Sequence, residues 1–225
     1  MKPMIMGLGI LVAAQVQAQL VSYSFTGAEG GEASFGPDAQ PAGAWAAPMT
    51  RGSGLSSSAS ANTFSASNWS VGGRDDTDYF SFSIQPEVSM SLSLTRLVLD
   101  ERRSGTGIRD WCVRSSLDGF AADLSQFAVP DSTATRADQT TLLGSSFAHL
   151  TSDVEFRIYG YNSESAGGTW RLDNVELYGS VSPVPEPAEY ASVFGAALVV
   201  FACFDRVKRQ REGATRNHNS LKESI

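Results

Sequence analysis

Three aspartates in four residues, Asp75, Asp76 and Asp78, follow the Gly72-Gly73 pair and bring hard oxygen donors close together. Such a set could hold calcium, although its spacing is not that of an EF-hand loop. A solvated acidic loop needs the same residues and no metal. Other chemistry is sparse. His149, in Phe147-Ala148-His149-Leu150, is the one histidine between the two ends of the chain, and His218 lies near the carboxyl terminus. A Ser-His-Asp nucleophile would need His149 beside an acid and a hydroxyl, yet the body has no Gly-x-Ser-x-Gly elbow to present the serine. His-x-His and Cys-x-x-Cys pairs are absent, so a transition-metal centre has no ligand pattern. A glycosidase requires two carboxylates across a sugar, and sequence cannot assemble that pair. The expected set of catalytic residues is therefore none, with a secreted polysaccharide hydrolase as an alternative.

Aromatic recognition of sugars is a second chemistry. A tryptophan offers a flat apolar face that neighbouring polar groups can complement. Trp45 lies in a stretch rich in Gly, Ala, Pro and Ser, broken by Pro37, Pro41 and Pro48, and is the candidate for sugar stacking. Trp69 sits among small residues, and Trp111 alternates with Val113 as a core residue would. Tyr159 and Tyr161 fall on the face opposite Phe156 and Ile158 and could form an exposed patch.

The elements that would carry these residues read as strands. Val21, Tyr23 and Phe25 alternate with Ser22, Ser24 and Thr26; Phe80, Phe82 and Ile84 alternate with serines; Val88, Met90, Leu92 and Leu94 do the same. The apolar phase slips by one at Leu97 and Leu99, predicting a bulge near Thr95–Arg96. It slips again from Trp170 and Leu172 to Val175 and Leu177, predicting another across Asp173-Asn174. Glu101 to Gly107 reads as a charged, glycine-rich turn, and residues 27–58 as mostly loop with a short strand around Trp45. No helical period lasts three turns between Leu20 and Ser182. Eight or nine short strands with polar connections predict an all-β, antiparallel two-sheet sandwich.

The two ends differ from this body. Lys2, the apolar run Ile5–Ala14 and the small residues of Val16-Gln17-Ala18 read as a signal peptide over 1–18, cleaved by signal peptidase between Ala18 and Gln19. Near the other end, Pro183-Val184-Pro185-Glu186-Pro187 is stiff and poor in donors. The apolar run 188–204 has one charge, Glu189, and as a helix would extend roughly 26 Å, just short of a bilayer core. Arg206, Lys208, Arg209 and Arg211 then form a basic stop cluster that keeps 205–225 cytoplasmic. The chain carries net charge −7, and residues 205–225 hold six basic against three acidic groups, so the body is more acidic than the whole. An exported acidic body is a poor partner for nucleic acid. Of the two cysteines, Cys203 lies in the apolar run and Cys112 in the body, so no disulfide staples the body.

The ordered trio of Pro185-Glu186-Pro187, apolar helix and basic cluster resembles the PEP-CTERM sorting signal, although residues 212–225 continue beyond the usual end of such a tag. The resemblance implies an exosortase-type membrane enzyme as processing partner, a single-pass intermediate held in membrane lipid, and release to the cell surface or extracellular matrix. The body resembles the jelly-roll or lectin-like domains that often precede such tags. It does so in Arg103-Ser104-Gly105-Thr106-Gly107, in Val113–Phe120 and in Trp170-Arg171-Leu172-Asp173-Asn174-Val175-Glu176-Leu177-Tyr178-Gly179. That resemblance implies a structural Ca2+ on Asp173, with Glu29 or Glu32 as second ligand; an Asx turn at the bulge is the alternative for Asp173. The expected organisation is signal peptide 1–18, jelly-roll-like β-sandwich 19–180, proline-rich linker 181–187, transmembrane helix 188–204 and basic tail 205–225. The expected role is an exported, non-catalytic binding or structural protein, with a carbohydrate-binding module as the main alternative and polysaccharide as the partner.

Overall fold

The period-two runs of the sequence become strands in a computed structural model that describes residues 18–185. The strands are β1 (Ala18–Tyr23), β2 (Ser34–Phe35), β3 (Ala44–Ala46), β4 (Met49–Arg51), β5 (Ser56–Ser57), β6 (Phe64–Ser67), β7 (Tyr79–Pro86), β8 (Met90–Arg103), β9 (Asp110–Ser115), β10 (Ser125–Ala128), β11 (Arg136–Leu142), β12 (Val154–Tyr161) and β13 (Trp170–Pro183). One sheet has the order β11-β8-β13-β6-β5, with β1 also pairing β13. The other has the order β10-β9-β12-β7-β4-β2, with β3 also pairing β7. From β6 onward the chain crosses repeatedly between the sheets, and its first and last strands lie side by side. This is the antiparallel two-sheet sandwich that the alternation predicts, open rather than closed into a barrel.

Both predicted bulges are present. Tyr178 pairs with Arg96 and Gly179 with Leu94, leaving Thr95 as the extra residue of β8, so Leu94 and Leu97 both point inward. Asp173 pairs with Asp100 and Glu176 with Val98, so the extra residue falls in β13, where Asn174 takes a φ of 44°. Asparagine tolerates that left-handed region better than most residues. The two bulges let β8 and β13 bend together over fourteen residues each while Leu92, Leu94, Leu97, Leu99, Trp170, Leu172, Val175 and Leu177 all stay in the core.

A line of rings crosses the core. Phe25 packs on Phe64 (centroids 5.7 Å), Phe64 on Phe80 across the sandwich (5.4 Å), and Phe80 edge-on to Trp69 (5.1 Å). Trp69 meets Trp170 at 5.3 Å, Trp170 meets Trp111 of the opposite sheet at 5.7 Å, and Trp111 stacks on Phe127 at 4.0 Å. Each such buried side chain is worth about 1.5–3 kcal/mol relative to exposure. Gly160 makes room for this cluster: a Cβ there would sit 2.8 Å from the Trp69 ring.

Several boundaries differ from the sequence reading. Residues 27–58 contain β3 around Trp45, as expected, but also β2, β4 and β5, which at two or three residues are too short to show a period. Val181, Ser182 and Pro183, expected in the linker, pair with Leu92, Ser91 and Met90. Pro183 is the last residue of β13, and a strand end tolerates a residue without an N–H better than a strand interior does. Ala18 and Gln19 open β1, opposite Gly179 and Tyr178, so cleavage between them would spare the inward-facing Val21 and Tyr23. The rest of the expected signal peptide, Glu186 and Pro187 of the sorting motif, the apolar run 188–204 and Arg206, Lys208, Arg209 and Arg211 lie outside the described residues. Among the described residues no helix is long and apolar enough to cross a membrane.

Candidate functional site

Trp45 is the middle residue of β3, and strand parity sends Ala44 and Ala46 into the core and its indole outward. It is 51% exposed, whereas Trp69, Trp111 and Trp170 are buried. Across the ladder it faces Gln85 of β7. The chain then turns sharply: the Met90 N–H donates to the Glu87 carbonyl at 3.0 Å, Ser89 has a φ of 65°, and the Glu87 N–H donates to the Gly43 carbonyl at 2.9 Å. This turn holds Val88 almost wholly in solvent, 95% exposed. Trp45, Gln85, Pro86, Glu87 and Val88 line an open groove of about 500 Å³. Among the described residues the Gln85 and Glu87 side chains have no hydrogen-bond partner in the protein. A flat apolar floor with two uncommitted polar groups at its edge matches the chemistry of a sugar ring, which has an apolar face and hydroxyls around its rim.

The expected calcium ligands go separate ways. Asp75 Oδ1 accepts the Thr77 N–H at 2.8 Å and its hydroxyl at 2.7 Å, which lower its pKa. Asp76 pairs with Arg74. Asp78 is buried, accepts the Ser70 N–H at 2.8 Å, and is pushed up in pKa chiefly by desolvation. The Glu32 carboxylate closes a local turn on the Glu29 and Gly30 N–H groups, at 2.9 Å for the latter, while Glu29 itself is exposed. Asp173 Oδ1 accepts the N–H of the next residue, Asn174, at 2.8 Å, one residue short of the contact that defines an Asx turn. Among the described residues no three His, Cys, Asp or Glu side chains gather as a metal-holding group. His149 is exposed; its backbone N–H donates to Ser93 Oγ at 3.1 Å, and its ring has no acid or hydroxyl partner among the described residues.

The outer face of the β9–β12–β7 region corrects one expectation. Tyr159 is 1% exposed rather than part of an open patch, because Arg74 lies over its ring at 4.9 Å and Tyr79 packs against it at 5.4 Å. Tyr161 is only half-buried and accepts a hydrogen bond from Gln126 at 3.2 Å. Cys112 is completely buried on the same face. Burial and then Asp123 push its thiol up to about 12. At pH 8 this leaves on the order of a thousandfold less thiolate than an ordinary thiol of pKa about 8.5. Maleimide labelling followed by peptide mapping is therefore expected to modify Cys112 only after denaturation; rapid labelling of the native chain would contradict this burial.

The charged residues at 101–103, read as a turn, continue β8 instead. Glu101 and Arg103 keep the inward parity of Leu97 and Leu99 and are each 1% exposed. Glu101 pairs with Arg136 and accepts Trp170 Nε1–H at 2.6 Å. Arg103 donates to Asp131 at 3.1 Å and to the Gly105 carbonyl at 2.9 Å, and it ion-pairs with Glu164 at 2.9 Å. The alternation itself was the missed signal. Arg102, of opposite parity, faces outward opposite Arg171, which register alone reveals.

No protein-family model matches the chain, and no curated protein matches it. The PEP-CTERM resemblance therefore rests on its own motifs. Among solved structures the chain is similar to the K3 cleaved adhesin domain of Lys-gingipain (Kgp) from Porphyromonas gingivalis w83, at 17% identity, covering 72% of this chain and 98% of that one, with a TM-score of 0.34. A likeness this distant carries no argument about what the chain does.

Proposed function

We propose that this chain is an exported, non-catalytic surface or matrix protein whose sandwich binds polysaccharide through Trp45. The observation that carries the binding part is the one tryptophan of the sandwich left half in solvent, beside Gln85 and Glu87 with their polar ends uncommitted. The amino-terminal signal and the carboxyl-terminal trio of Pro185-Glu186-Pro187, apolar run and basic cluster support export, with signal peptidase, membrane lipid and an exosortase-type enzyme as successive partners.

Covering about 80 Å² of indole face at about 25 cal/mol per Å² is worth about 2 kcal/mol, or roughly thirtyfold in affinity. Trp45→Ala is expected to weaken binding to a neutral polysaccharide by about that factor with little change in melting temperature, since the ring supports no core contact. Glycan-array screening of the full chain followed by titration of the best ligand checks this; equal affinity for wild type and W45A would reject the site. Export is checked separately by sequencing the mature amino terminus, expected to begin at Gln19; a retained Met1 would reject it.

A further inference from the structure

On the outer face of the β8–β13 pair two like-charged rungs lie next to each other. Arg171 stands directly opposite Arg102, and Asp173 opposite Asp100. Like charges facing across a ladder are destabilising unless a counter-charge joins them. The acidic rung has its donors. Asp100 accepts the Asp138 N–H at 2.8 Å and Asn174 Nδ2–H at 2.9 Å, and Asp173 accepts the Asn174 N–H.

The basic rung has no anion. Arg102 donates to the Thr133 carbonyl at 2.7 Å and Arg171 to Ser60 Oγ at 2.7 Å, both neutral acceptors. Among the described residues neither guanidinium is ion-paired. Arg171 Nε is buried with no hydrogen-bond partner, an arrangement that costs free energy while it lasts. Desolvation, and Arg102 beside it, hold the Arg171 pKa below the ordinary arginine value. Arg102, Arg171 and Ser60 line a hollow of about 220 Å³, together with Asn62, Thr63, Asp173 and Glu101, whose carboxylate is already held by Arg136 and the Trp170 indole.

We propose that this hollow binds an acidic sugar, with the carboxylate of a uronate on Arg102 and Arg171 and its ring hydroxyls on Asn62, Thr63 and Asp173. Both arginines line the hollow, and a carboxylate bound there would accept charge-assisted hydrogen bonds from their guanidiniums. Asp173 selects against a bare anion, which it would repel, and for a ligand that also brings hydroxyl donors. The site goes beyond the Trp45 reading by naming a second, acidic sugar ligand, and it shares no side chain with the Trp45 groove.

Titration of the purified full chain with glucuronate and galacturonate, with glucose and sodium sulfate as controls, tests the proposal by calorimetry and melting temperature. The uronates are expected to bind and raise the melting temperature, and glucose to do neither here. Arg171→Gln and Arg102→Gln are each expected to weaken uronate binding tenfold or more, while W45A leaves it unchanged. R102Q, at an exposed position on a like-charged rung, should melt no lower than wild type, so a folded variant is assured for the comparison. Uronates binding no better than glucose, or wild-type uronate affinity in R102Q, would overturn the site. Sulfate binding as tightly as the uronates would overturn the sugar assignment in favour of a simple anion site.

Discussion

Glu101→Ala is expected to destabilise the sandwich by about 3–5 kcal/mol, the usual cost of removing one partner from a buried pair. Glu101 is 1% exposed and serves two donors at once, the Arg136 guanidinium and the Trp170 indole N–H. Removing it leaves Arg136, already without a partner at Nη2, partly buried with an uncompensated charge, and it orphans the N–H of a fully buried tryptophan. Urea unfolding should show a lower midpoint at unchanged slope. A second variant, Glu101→Gln, keeps the shape and a carbonyl acceptor, and should fall between wild type and alanine. A loss under about 1 kcal/mol for Glu101→Ala, the range of an exposed pair, would contradict the buried placement of this carboxylate.

Trp170→Ala is expected to cost about as much, about 3–5 kcal/mol, for a different reason. Its ring touches Trp69, Phe80 and Trp111 and so joins both sheets, and its loss leaves a cavity that three rigid rings cannot collapse into. Trp170→Phe restores most of the packing but not the donor to Glu101, so it should recover part of the loss. Because Glu101 and Trp170 share a hydrogen bond, the two alanine substitutions should fail to add by about 0.5–3 kcal/mol. Additivity within a few tenths would mean that the 2.6 Å bond between them contributes little.

The same pair of residues shows what the sequence could and could not disclose. The alternation Leu92-Leu94, then Leu97-Leu99, fixed the inward face of β8 and even its bulge at Thr95, because half-buried strands leave a strict period of two. Extending that parity by four residues places Glu101 and Arg103 in the core, but their charge read as a turn. Charge is a good marker of solvent only when no partner waits inside, and the partners Arg136, Asp131 and Glu164 are distant in sequence. Trp45 was legible for the opposite reason: small, proline-broken surroundings contain no second hydrophobic face to cover it. Tyr159 was not, because the Arg74 that covers it comes from a connection whose path has no period. The Arg102–Arg171 rung needed the register of two strands, which no local pattern encodes.

The Trp45 groove and the Arg102–Arg171 hollow have separate side chains, so each can fail alone. The binding account itself is tested most directly by indole N–H resonances of the full chain, whose four tryptophans give one signal each. With the Trp45 signal identified by its loss in Trp45→Phe, titration with fragments of a bound neutral polysaccharide is expected to move that signal and leave those of buried Trp69, Trp111 and Trp170 in place. Saturable binding that leaves the Trp45 signal unmoved would contradict the account, as would the absence of any shift across bacterial and plant glycans.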